Sequence, residues 1–143
     1  MSASKIHFIL SAENCQQSRL DLLGTLLQTF LAAHRPCFCY VADQAYADFL
    51  DDYLWSDQFG FLPHTQDKFS DAFCQVTIGT NIADADGCSY LFNCTGKALL
   101  DASLQQGMTC IEWVSQQPHE KAQMRTLFKQ YQSQQMTPTM VRM

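Results

Sequence analysis

The chain has 143 residues, 47% of them hydrophobic and 12% aromatic, with 14 Asp and Glu against 9 Lys and Arg. That composition fits one packed domain and argues against a disordered chain. The longest apolar runs fall far short of the ~20 residues a membrane span needs, and MSASKIHFIL at the start has no signal-peptide core. No membrane association is expected, and a cytoplasmic location follows by default.

Residues 5–11 (KIHFILS) read as a buried strand, and residues 13–17 as a polar loop. A helix follows, with Leu20, Leu23, Leu27, Phe30 and Leu31 on one face, widened by Leu22 and Leu26. Arg35-Pro36 stops it. Residues 37–42 (CFCYVA) form a second strand, and Asp43 is placed to cap a second helix. There Tyr46, Phe49, Leu50, Tyr53 and Leu54 recur at helical spacing. FGFLPH at 59–64 is an aromatic turn, and residues 65–73 are loop. Two further strands are expected at 75–79 (QVTIG) and 89–93 (SYLFN), separated by a turn-rich stretch. Thr95 is placed to cap a helix running to about residue 105. Residues 108–114 (MTCIEWV) are the last clear strand, and Pro118 opens a final helix reaching about residue 133. The expected architecture is a single α/β domain over 1–134, three-layered, with a largely parallel sheet flanked by helices. Residues 135–143 are expected to be an irregular tail.

Several chemistries lack their residues. The first strand–helix junction, FILSAENCQQSRL, has no glycine for a dinucleotide's pyrophosphate. CTGKALL at 94–100 lacks the upstream glycine of a phosphate loop, and Ala98 stands where the magnesium-binding hydroxyl belongs. DADG at 84–87 is followed by no further oxygen ligands for calcium. There is no G-x-S-x-G elbow. The seven cysteines form no C-x-x-C pair and read as buried reduced thiols. No cofactor, no metal and no catalytic constellation is expected.

The final helix is different. Lys121, Arg125 and Lys129 recur every four residues, and from Lys121 onward there are four cations and no acid. The five remaining Lys and Arg face all 14 acids, so the first 120 residues carry a formal −9 and the last 23 a formal +4. Met124, Leu127, Phe128 and Tyr131 form the apolar face. Measured from its centre, the three cations fall roughly 70°, 110° and 150° away, at ~100° per residue. The stripe therefore begins at the border of the buried face. A solvated helix face explains such a stripe, but charge this segregated also fits an anion site. Nucleic acid is a poor partner, because too few cations would engage its backbone against an otherwise negative protein. A short acidic peptide with an aromatic side chain fits better.

The stretch IEWVSQQPHEKAQMRTLFKQY at 111–131 resembles the C-terminal strand and helix of the chi subunit of bacterial DNA polymerase III, an accessory protein of the clamp-loader complex. LWSDQFGFLPH at 54–64 is similar to a second family stretch, and the strand–helix order from 5 to 55 agrees. The resemblance implies an α/β fold, similar to nucleotide-binding domains but without a phosphate loop or catalysis. It implies two partners. One is the acidic C-terminal tail of the single-stranded-DNA-binding protein, which ends in Phe; Lys121, Arg125 and Lys129 match the family's basic residues for it, Phe128 an aromatic beside them and Val114 a pocket wall. The other is the small psi subunit, with Trp55 and Phe61 matching positions on its side. Residues 65–88 do not align, and cysteine and Gln are richer than the family pattern. The alternative is a nucleotide-binding enzyme, or a degenerate relative, with its phosphate site near Thr95 or in the loop after Ser11.

Overall fold

A computed structural model describes residues 5–66, 75–85, 87–100, 103–104 and 107–142. The chain runs through β1 (Lys5–Leu10), α1 (Arg19–Ala32), β2 (Cys37–Tyr40), α2 (Gln44–Leu54), β3 (Val76–Gly79), β4 (Tyr90–Asn93), β5 (Thr109–Val114), α3 (Pro118–Ser133) and β6 (Thr139–Arg142). The six strands are all parallel, in the order β3-β2-β4-β5-β1-β6. A parallel sheet needs long crossovers and cover on both faces, and strand alternation supplies it. Ile9, Ile111 and Trp113 meet Leu23 and Leu27 of α1 and Leu50 of α2 on one face. Phe8, Cys110 and Val114 meet Met124, Leu127 and Tyr131 of α3 on the other. The three-layer α/β arrangement expected from the sequence is what forms.

Local chemistry sets the helix ends. The Ser18 hydroxyl accepts from the Asp21 backbone N–H at 3.2 Å and starts α1, and Asp43 accepts from the Tyr46 N–H at 2.8 Å to start α2. α1 ends at Ala32, with His34 in the left-handed region and the Arg35 N–H returning to the Phe30 carbonyl at 3.0 Å. Pro36 disfavours helical geometry at Arg35, which ends the helix just ahead of it. A 3-10 turn at Asp57–Phe59 then presses the buried Phe59 ring onto Gly24 of α1. A Cβ on Gly24 would lie 2.2 Å from that ring, so glycine is required for the approach.

Three expectations need correction. Residues 95–100 are not helical; the rest of that expected helix falls partly outside the described residues. The Thr95 hydroxyl bonds to Asn93 Oδ1 at 2.7 Å, Gly96 is left-handed at φ 78°, and the Leu99 N–H reaches the Tyr131 hydroxyl at 3.2 Å. Buried side chains thus take the backbone partners a helix would have used. The tail is not irregular throughout, because Thr139–Arg142 pairs with β1 in parallel. Thr65, taken as loop, bridges Thr77 beside β3, while residues 67–74 lie outside the described set.

The thiols also divide. Cys37, Cys39 and Cys110 are buried as expected, and burial pushes the Cys37 thiol up to about 12. Cys15, Cys88 and Cys94 are only half-buried, and Cys74 is outside the described residues.

Candidate functional site: a cation-rimmed cleft and an aromatic surface

The outer flank of α3 overhangs the β6 edge of the sheet and leaves a cleft of about 380 Å³. Phe8 and Leu10 of β1 and Val114 of β5 form its floor, and Met140 of β6 closes one side. Met124, Phe128 and Gln132 of α3 make the wall, with Lys121, Arg125 and Lys129 along the rim. Among the described residues, no Asp or Glu lines it. Phe128 is half-buried and set edge-on to Phe8, ring centroids 5.0 Å apart. The wheel's gradient is realised: Lys121 is half-buried, whereas Arg125 and Lys129 are exposed.

The cations differ in freedom as well. Lys121 Nζ donates to Gln116 Oε1 at 3.1 Å, and Gln116 Nε2 donates to the Ser11 carbonyl at 2.8 Å. Among the described residues, neither Arg125 nor Lys129 has an ion-pair partner. The cleft thus presents one tethered and two free cations over an apolar floor. That arrangement is complementary in shape and charge to an apolar side chain flanked by carboxylates.

Beneath α3 lies a buried polar cluster that the sequence reading missed. Glu112 of β5 is fully buried. Its Oε2 accepts from Asn93 Nδ2 and from the Tyr131 hydroxyl, each at 2.6 Å. Arg19 approaches Oε1 at 3.6 Å and stacks 4.0 Å over the Trp113 ring. Burial raises the Glu112 carboxyl to about 7, against the pull of Tyr131, Asn93 and Arg19. Tyr131 is therefore the pin that fixes α3, and its cation stripe, over the sheet.

The crevice at the carboxyl ends of β1 and β5, where α1 and α3 depart on opposite faces, is where doubly wound folds bind ligands. Here an internal carboxylate occupies the α1 N-terminus, and a cavity of about 170 Å³ bordered by Arg19, Trp113 and Glu120 remains beside it. Glu120 Oε1 accepts from the Arg19 backbone N–H at the first turn of α1, at 2.9 Å, and from the Ser115 hydroxyl. The favourable anion position at that helix N-terminus is already taken.

Trp55 and Phe61 come together on a separate surface. Trp55 is 48% exposed and Phe61 83%, with ring centroids 6.5 Å apart. His64 supports them from below: it is buried, 4.3 Å from the Trp55 ring, and its two ring nitrogens face the Leu62 carbonyl and the Asp51 carbonyl.

Of the expected cleft residues, Lys121, Arg125, Lys129, Phe128 and Val114 converge on one cavity. Phe8, Leu10, Gln132 and Met140 join them without having been singled out. Alternation in KIHFILS puts Phe8 and Leu10 on one face, but only the strand order reveals that α3 lies over it.

No helix among the described residues is long and apolar enough to cross a membrane. No curated protein matches the chain. A family model described as DNA polymerase III chi subunit, HolC, matches residues 3–139.

Proposed function

From the chain's membership of the DNA polymerase III chi subunit family, we propose that it is a non-catalytic replication adaptor. Its α3 cleft binds the acidic C-terminal tail of single-stranded-DNA-binding protein. Its Trp55–Phe61 surface holds a psi-type subunit that links it to the clamp loader. The protein so joins the polymerase assembly to protein-coated single strands.

The observation that carries the first half is the cleft itself: an apolar floor, three cations on the rim and, among the described residues, no acid in the lining. A terminal Phe supplies about 1.5–3 kcal/mol on burial. Each exposed ion pair adds about 0.2–1 kcal/mol, and a charge-assisted hydrogen bond about 1.5–3. The total reaches roughly −8 kcal/mol at best, which is micromolar affinity. Such a tether exchanges readily. An acidic peptide ending in Phe is expected to bind in that range by calorimetry and to weaken as salt rises. Arg125→Ala, at an exposed position, is expected to cut affinity several-fold without moving the melting temperature. Unchanged affinity removes the cleft from the interaction.

The psi-type assignment draws on the exposed, adjacent Trp55 and Phe61. The competing reading, a nucleotide-binding enzyme, has Glu120 against it at the α1 N-terminus. A clear rise in melting temperature with ATP would reinstate it.

A further inference from the structure

The free edge of the sheet runs alongside the cleft. β6 ends the strand order and pairs only with β1 among the described residues. All four of its residues are exposed. Protein edges are usually blunted by bulges, charge, short length or a covering element; β6 is short at four residues and carries Arg142, but nothing among the described residues covers it. The parallel register sets Met140 beside Phe8. Its side chain therefore lies on the α3 face, and it lines the cleft. Met140 is thus the residue that the edge strand shares with the cleft, a channel whose opposite wall is α3 with its cation rim.

We propose that the acidic tail binds in this channel as an extended strand added to the free edge of β6, with every second side chain turned toward α3. This rests on the assignment of the cleft to such a tail. The spacing supports it. Lys121, Arg125 and Lys129 advance about 6 Å per step, four residues at 1.5 Å each. Alternate side chains of a strand advance roughly 6.6 Å. Successive carboxylates therefore keep pace with successive cations along the helix axis, and flexible Lys and Arg side chains take up the ~40° turn around α3 at each step. The edge supplies main-chain hydrogen bonds, while the cleft reads alternate side chains. Charge agrees: β6 adds Arg142, and no acid occurs from Lys121 to Arg142.

The test uses the full-length protein and a labelled acidic peptide ending in Phe, with each backbone amide N-methylated in turn and binding read by anisotropy. An added strand turns alternate amides toward β6. At two or more such positions, affinity should fall about five-fold each, the loss of one hydrogen bond, with little change between them. Alanine substitutions in the peptide should show the same two-residue period. If the peptide binds and Arg125→Ala weakens it, yet no N-methyl group matters or the sensitive positions lie three or four apart, the strand mode is overturned and the cleft assignment stands. If the unmodified peptide does not bind, the cleft assignment falls and the strand mode with it.

Discussion

The α3 cleft and the Trp55–Phe61 surface both present aromatic rings, but in opposite senses. In the cleft, Phe128 is drawn back against Phe8 and cations stand forward. On the other surface Trp55 and Phe61 stand forward, and the helix leading to them, Gln44–Leu54, carries Asp48, Asp51 and Asp52 and no cation. In the proposed function, the first receives a partner's side chain and the second offers its own. Attraction at the cleft is largely Coulombic at its rim and so is screened by salt. At the aromatic surface it is apolar, and there buried rings become the few residues that dominate binding. The two proposed contacts would thus differ in kind, one salt-screened and one apolar, separated by the nature of the exposed groups.

The contrast can be broken first through Glu112, which lies under α3 and not under Trp55. Its folded pKa of about 7 stands above the ordinary 4.5. The folded state therefore holds the proton more tightly than the unfolded chain. That stabilisation is full below about pH 4.5 and disappears as pH rises through 7. Between pH 4.5 and 8, the stability difference between Glu112→Gln and the unaltered protein should move by about 3 kcal/mol in favour of the variant. Urea titrations across that range measure it. Two curves of the same pH dependence would mean that Glu112 keeps its ordinary acidity.

Next in size, Trp55→Ala or Phe61→Ala should cost about 2 kcal/mol or more toward a psi-type subunit, roughly thirty-fold in affinity. The acidic peptide should bind as before. Weakening of both partners together would erase the distinction between the surfaces. Gly24→Ala should lower stability by ~1–3 kcal/mol, because a methyl group meets the Phe59 ring that seats the segment carrying Phe61. Thermal unfolding reads the loss, and the psi-type contact should suffer more than the peptide contact. The smallest effect sharpens the contrast most directly. Raising salt from about 0.05 to 0.5 M should weaken the peptide several-fold and leave the psi-type contact within about two-fold. Equal salt dependence would remove the electrostatic difference.

Much of this was legible in the sequence. Helical spacing placed Met124, Leu127 and Tyr131 inward and the cation stripe on the border, because a single amphipathic helix encodes its own orientation. Capping by Asp43 was equally local. What escaped depends on distant partners. TMVR after Pro138 is too short to read as a strand, and it becomes one only because β1 leaves an edge for it. Thr95 has the chemistry of a helix cap, but Asn93 and Tyr131 claim the nearby backbone first. Glu112 sits in an apolar strand with nothing local to mark the Asn, Tyr and Arg that gather round it.

The position of β1 sets an order of events during synthesis. It is made before the other described strands, yet its two neighbours, β5 and β6, lie about a hundred residues or more further on. Until they emerge from the ribosome, β1 has no lateral partner, and closing contacts so remote in sequence is slow. The floor and far side of the cleft come from these three strands. The aromatic surface is encoded before residue 65. A nascent chain therefore exposes Trp55 and Phe61 well before it has a cleft, and a subunit docking there during translation would meet the protein before the acidic tail has any place to bind.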